Sequence, residues 1–283
     1  MSLVTTKEML LKARSEGYAI GGFVIWSIDS VQAVIEASEK FNLPVLLMTG
    51  YPEAEYAGGF KNIYRIVEMV AESTKLPVAL HADHFVDYET ISEAIDSGFT
   101  SVMIDASSLP FKENIELTKK VVKLARRSNV TVEAELGRLA GSEAKLEVSE
   151  EQALQTDPED AKRFVEETEI DSLAVAIGTV HGFYTYPPKI NIDRLKAIAE
   201  KVSIPLVLHG GSGTPEEKVT ESIKYGISKV NICTDFVAAM GRSIRDIQSE
   251  SGFKYSVKTV FGTGRNAGRE LAESKIKLFS GNK

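Results

Sequence analysis

Eight short apolar runs recur along the chain, separated by amphipathic stretches: Ala19–Ile25, Val45–Thr49, Val78–Asp83, Ser101–Ala106, Thr131–Leu136, Leu173–Gly178, Leu206–Gly210 and Val230–Thr234. Most are rich in Val, Ile and Leu with little polar alternation, which is how parallel strands covered on both faces read. Several open after a turn ending in proline, as in Asn42-Leu43-Pro44, Lys75-Leu76-Pro77 and Ser203-Ile204-Pro205. A proline at a strand's first residue removes no ladder bond. The stretches between carry helix signals. Thr156-Asp157-Pro158-Glu159-Asp160 offers a cap, a first-turn proline and early acids, and Thr214-Pro215-Glu216-Glu217 repeats the device. Gly98 and Gly226 stand where helices should end. Eight strand–helix units predict a (β/α)8 TIM barrel, an α/β fold, as a single domain over residues 1–283. A doubly wound open sheet is the competing arrangement.

Composition narrows the partners more than the fold. The net charge is -7, with acids and bases mixed along the chain and no basic block. That argues against nucleic acid and anionic membrane as partners. Cys233 is the single cysteine, so no intrachain disulfide framework exists and a reducing cytoplasm fits. The first 20 residues lack the apolar core of a signal peptide, and no apolar run approaches a membrane span.

The histidines change the picture. There are four, His81, His84, His181 and His209, and each lies at or just past the end of an expected strand. In a barrel the carboxyl ends of all strands ring one mouth, so residues distant in sequence meet there. One histidine at a strand end is ordinarily a satisfied polar group, but four on one rim call for another reason. Three imidazoles leave an open position on a tetrahedral zinc, as a catalytic metal needs. His81 is the least suited as a ligand, because alternation turns it inward beside Asp83, in a supporting place.

Acids share the rim. Asp83 adjoins His84, Asp105 ends the fourth strand, and Glu133 and Glu135 lie two apart on one face of the fifth. Carboxylates inside apolar strands need a metal or a donor. The stretch after the fifth strand, near 138–155, holds glycines and charge and reads as a mobile flap. The turn His209-Gly210-Gly211-Ser212-Gly213 and the end of the eighth strand offer amides and hydroxyls where barrels bind phosphate. A Schiff-base mechanism needs a lysine at a strand's carboxyl end. Lys229 reads as the start of the eighth strand, hence at the wrong mouth, so the electron sink must be a metal.

Taken together, the motifs resemble the class II fructose- and tagatose-bisphosphate aldolases. They are His81-Ala82-Asp83-His84, Met103-Ile104-Asp105-Ala106-Ser107, Glu133-Ala134-Glu135-Leu136-Gly137, Ala176-Ile177-Gly178-Thr179-Val180-His181-Gly182, Leu208-His209-Gly210-Gly211-Ser212-Gly213 and Val230-Asn231-Ile232-Cys233-Thr234-Asp235. The run Ser172 to Gly178 is closest to the tagatose-bisphosphate-like branch. The resemblance implies a lyase with zinc on His84, His181 and His209. It implies that Asp83 handles the proton on the aldehyde oxygen and that Glu143, on the flap, moves the proton on carbon. Asp105 and Glu135 match groups that support the metal region, where a second metal position also lies. Gly182, Gly210, Ser212, Asn231 and Thr234 match residues that hold the ketose end and its phosphate. A monovalent cation (Na+ or K+) and a homodimer or homotetramer are family habits.

The departures fall on the distal end of the substrate. Val24 stands where many members have Asn, Gly50 where they have a hydroxyl residue, Thr185 where they have Lys, and Ala144 follows Glu143 where they have an acid. The Asp-Pro-Arg motif that grips the distal phosphate is absent, and the stretch 253–269 offers no counterpart. The expectation is therefore a zinc aldolase that cleaves a ketose phosphate to dihydroxyacetone phosphate and a non-phosphorylated aldehyde. Arg138 and Arg265 are candidates to read that aldehyde's tail. The alternatives are a fructose- or tagatose-1,6-bisphosphate aldolase, a non-catalytic sugar-phosphate-binding barrel, and a metal-dependent epimerase or isomerase.

Overall fold

The computed structural model describes residues 3–138, 141–143, 146–148, 155–182, 188–250 and 256–281. Eight strands close into a parallel barrel: β1 (Ile20–Val24), β2 (Val45–Thr49), β3 (Val78–Phe85), β4 (Ser101–Ile104), β5 (Thr131–Leu136), β8 (Ser172–Val175), β9 (Leu206–Leu208) and β10 (Ile227–Ile232). Their cyclic order is β1-β10-β9-β8-β5-β4-β3-β2, each strand beside its sequence neighbours. A small antiparallel hairpin, β6 (Gly141–Glu143) and β7 (Leu146–Val148), lies outside the barrel in the expected flap. Every residue of the barrel strands is buried, which explains why the apolar runs lacked alternation.

The helices pack outside: α2 (Ile28–Phe41), α3 (Tyr51–Tyr56), α4 (Phe60–Ala71), α5 (Tyr88–Asp96), α6 (Phe111–Arg127), α7 (Pro158–Thr168), α8 (Ile192–Lys201), α9 (Glu216–Lys224), α10 (Thr234–Glu250) and α11 (Val257–Ser280). Their starts are chemically marked. Ser27 and Ser30 form a reciprocal capping box on α2, and Asp87 accepts from the Thr90 amide on α5. On α7 the cap is Asp157, with Pro158 in the first turn. Thr156 instead donates to the Leu136 carbonyl and accepts from the Ala176 amide, tying two strand ends together. Thr214 likewise does not cap α9; its hydroxyl donates to the Gly210 carbonyl, and Pro215 precedes the helix.

One end of the barrel is plugged. α1 (Thr6–Glu16) crosses the end where the strands begin, and the Val4 amide donates to the Val78 carbonyl there. Met9, Leu10 and Ala13 of α1 join Tyr18, Ile20, Leu46, Met48 and Ala79 in a core of their own. Thr6 Oγ1 lies 2.7 Å from Thr131 Oγ1 and 3.2 Å from Ser101 Oγ. The opposite end, at the strand carboxyl termini, is left for chemistry. Among the described residues no helix is long and apolar enough to cross a membrane.

Candidate active site

His84, His181 and His209 meet at that end. Their ring centroids are 4.5, 4.9 and 5.9 Å apart, and one ring nitrogen of each lies within 4.8 Å of the others. The backbone explains how they get there. His84 has φ 55°, a left-handed conformation uncommon outside glycine, at a register shift between β3 and β4. The kink lets Asp83 and His84, adjacent in sequence, both belong to the mouth. The loops after β8 and β9 are pressed together: a methyl on Gly210 (φ 66°) would lie 2.3 Å from the Val180 carbonyl oxygen. Only glycine allows that approach, and it brings His181 beside His209.

Carboxylates fix the rings from behind. His84 Nδ1 lies 2.8 Å from Asp105 Oδ2, and His209 Nε2 lies 3.0 Å from Glu133 Oε1. Glu135 Oε2 stands 3.4 Å from His209 Nδ1 and 4.0 Å from His84 Nδ1. Burial alone would raise Asp105, but the hydrogen bond and charge of His84, with Ser107, hold it down at about 2. Burial and the nearby His84 push His209 down, but its hydrogen bond to Glu133 and the Glu135 carboxylate beside it outweigh them and draw it up to about 9. His209 Nδ1 and Glu135 Oε2 are buried yet make no hydrogen bond. Buried polar atoms rarely remain so. Imidazoles held by carboxylates, with nitrogens aimed at one point, are the arrangement of a metal site. The residues fit a metal ion; His84, Asp105 and Glu135 form a second such trio, and His81, Asp83 and Glu133 a third.

Asp83 faces the same space. Asn231 Nδ2 lies 3.1 and 3.3 Å from its two oxygens, and His81 Nε2 lies 3.5 Å from Oδ1. Burial works to raise its carboxyl, yet His84, His81, Lys229 and His209 together hold it well below the usual range. His81 is turned away from the imidazole trio, with Nδ1 2.7 Å from Ser101 Oγ. Burial, then the Lys229 cation, lowers its pKa.

The glycine turn is anchored to the next helix. The Asp235 amide donates to Ser212 Oγ at 3.1 Å, and the Gly213 amide donates to Asp235 Oδ2 at 3.2 Å. Thr234 opens α10 beside them, and Gly182 (φ 88°) follows His181 with open space where a side chain would stand. Glu143 has its backbone on β6, and its side chain lies outside the described residues, as do Ala144 and Thr185. Arg138 donates to the carbonyls of Ser107 and Ser108, and Arg265 to Gln32 Oε1. Both candidate tail readers are thus already engaged.

Lys229 corrects the sequence reading. β10 begins at Ile227, so Lys229 is its third residue and points into the barrel, not out of the far mouth. Its Nζ lies 2.8 and 2.9 Å from the Glu133 carboxylate oxygens. The polar run Ser228-Lys229 conceals the strand's first turn of apolar pattern, and no sequence signal marks the lysine as interior.

This geometry has known counterparts. The sequence matches the family described as Fructose-bisphosphate aldolase class-II over residues 4–283. The chain belongs to the class II fructose-bisphosphate aldolase family. It is 41% identical over 281 residues to a fructose-bisphosphate aldolase of Staphylococcus aureus, covering 99% of this chain and 98% of the relative. The counterpart from Staphylococcus epidermidis is 40% identical over the same length. Among solved structures, the YdjI aldolase from Escherichia coli K12 superposes with a TM-score of 0.86 at 34% identity, covering 98% of this chain and 97% of that one. The protein is a class II aldolase, a carbon–carbon lyase, and its imidazole cluster lies at the carboxyl end of the barrel strands.

Proposed function

We propose that this class II aldolase is zinc-dependent and reversibly cleaves a ketose phosphate to dihydroxyacetone phosphate and a non-phosphorylated aldehyde. The observation that carries the reading is the meeting of His84, His181 and His209 beside an Asp83 carboxylate held by Asn231. Zinc, held by those three imidazoles, would supply a Lewis acid for the ketose carbonyl. Asp105 and Glu133 fix the ring orientations this needs, and Glu135 supports the metal region. Asp83, ionised and within the mouth, takes and returns the proton of the aldehyde oxygen. Glu143, on the hairpin β6–β7, serves the proton on carbon. Two groups are needed because the two protons move at different places. Gly182, Gly210, Ser212, Asn231 and Thr234 receive the ketose end and its phosphate, with amides and hydroxyls as donors. A monovalent cation (Na+ or K+) and assembly as a homodimer or homotetramer belong to the same proposal, on the family resemblance.

The aldehyde end supports a tail without phosphate. Val24 is buried among apolar neighbours. Gly50 offers no side chain, and a methyl there would lie 2.7 Å from a Glu53 carboxylate oxygen. A phosphate dianion needs charge-assisted donors, and a carboxylate is none. The second reading, a 1,6-bisphosphate aldolase, is favoured by the Staphylococcus relatives, which are named fructose-bisphosphate aldolases, at 40–41% identity. The deciding assay compares kcat/KM on fructose and tagatose 1,6-bisphosphates with their 1-phosphates and longer ketose 1-phosphates, identifying the aldehydes released. The first reading expects the 1-phosphates to win; a clear preference for a 1,6-bisphosphate establishes the second.

A further inference from the structure

The reading above gives Lys229 no task, and its position is costly without one. It is the one lysine or arginine among the described residues that is fully buried, at 0% exposure. An ammonium taken out of water loses several kcal/mol of solvation, and apolar residues of the same volume would pack as stably. Its Nζ stands 2.8 Å from Glu133 Oε2, 3.3 Å from His81 Nε2 and 3.9 Å from Asp83 Oδ1. Those three partners are also a trio whose ligand atoms lie within 4.8 Å of one another, close enough to hold a metal ion. The lysine's ammonium fills the place a cation would take there.

Glu133 carries the consequence outward. Both its oxygens accept from Lys229, and Oε1 also accepts from His209 Nε2 at 3.0 Å. A carboxylate pinned at both oxygens cannot rotate. It therefore fixes the His209 ring, with Nε2–H toward Glu133 and Nδ1 3.4 Å from Glu135 Oε2, on the side away from Glu133. On its other side the ammonium faces Asp83, whose oxygens also accept from Asn231.

We propose that Lys229 is a positioning residue: its ammonium is the resident cation of the His81–Asp83–Glu133 trio and, through Glu133, sets His209 for the metal site. It touches neither metal nor substrate. The proposal rests on the aldolase reading only for its kinetic consequence; the metal consequence needs no substrate at all.

The test uses the full chain loaded with cobalt(II), whose visible absorption reports ligand geometry. In Lys229→Met the cobalt spectrum should change and affinity should fall about tenfold or more, as expected when the partner behind a ligating histidine is lost. On the substrate that the wild type cleaves, kcat should fall at least tenfold with little change in KM. Lys229→Arg, which keeps the charge, should restore part of both. If Lys229→Met does not fold, Lys229→Met/Glu133→Gln removes the charge left behind and should fold with the same altered spectrum. A folded variant of either kind with wild-type cobalt spectrum and affinity overturns the proposal. A wild type that binds cobalt but cleaves no ketose phosphate would refute the aldolase substrate reading and leave this test standing.

Discussion

Asp83 and His84 are neighbours, and a regular strand would send their side chains to opposite faces. The left-handed backbone at His84, worth roughly 1–3 kcal/mol of strain, lets both serve one space. That strain is sensible only where geometry matters more than stability. It sharpens the expectations for single residues. His181→Ala should lose most bound metal and nearly all activity, since it removes one of three converging imidazoles; metal content by mass spectrometry and an aldol-cleavage assay check it. Asp83→Ala should retain metal and lose roughly a hundredfold in kcat, the scale of one general acid–base group. Glu143→Ala should lose a similar factor and also slow exchange of the donor's carbon-bound proton with solvent. Normal exchange in that variant would place the base elsewhere. The histidines and acids were legible in the sequence because polar side chains at the ends of apolar strands have few other reasons to exist. The kink at His84 was not, because nothing in Asp83-His84-Phe85 marks a positive φ.

Strands and turns carry these residues to one another, and here the sequence was legible in pattern rather than in boundary. Apolar runs placed all eight strands, since strands covered on both faces tolerate little else. The exception is β10, whose first residues Ile227-Ser228-Lys229 look like a helix exit. A barrel interior accepts polar groups when they are paired, and the pairing partners of Lys229 come from β3 and β5, far away in sequence. Such long-range compensation leaves no local trace. The glycine turn after β9 gives the element-scale prediction. Gly210→Ala must hold alanine at φ 66° with its methyl 2.3 Å from the Val180 carbonyl oxygen. The conformation alone costs an L-residue about 1–2 kcal/mol, and a backbone atom cannot step aside cheaply. The turn should shift, moving His209 relative to His181. The expected result is a lower denaturant midpoint together with weakened metal binding, whereas Gly182→Ala, which carries the same conformational cost at φ 88° but meets nothing within 4 Å, should lower the midpoint and keep the metal.

At the scale of the molecule, the open end of the barrel has an acidic interior suited to a cation. Asp83, Asp105, Glu133 and Glu135 are all buried there, against the single buried ammonium, that of Lys229, among the described residues. Without metal, the carboxylates recruit a proton instead: Glu133 and Glu135 overcome burial and His84 to hold His209 at about 9, above the ordinary 6.5. The sign follows from linkage. A raised pKa stabilises the metal-free fold fully below pH 6.5, and this contribution is lost as pH rises through about 9. At the proposed site metal and proton would compete for the same imidazole, so metal binding should release about one proton from His209. Apparent affinity should therefore climb by roughly tenfold per pH unit between about pH 7 and 9, then flatten. Competition with a chromophoric chelator across that range measures the slope. An ion held by the three imidazoles, as proposed, would join β3 to the loops after β8 and β9 and so tie the barrel together. Metal at a hundred times its Kd should add about 2.7 kcal/mol to stability, several degrees of Tm for a chain of this size. Chelation should reverse it. An affinity independent of pH would mean that His209 is not a ligand, and a Tm indifferent to chelator would mean that the barrel closes without help from its metal.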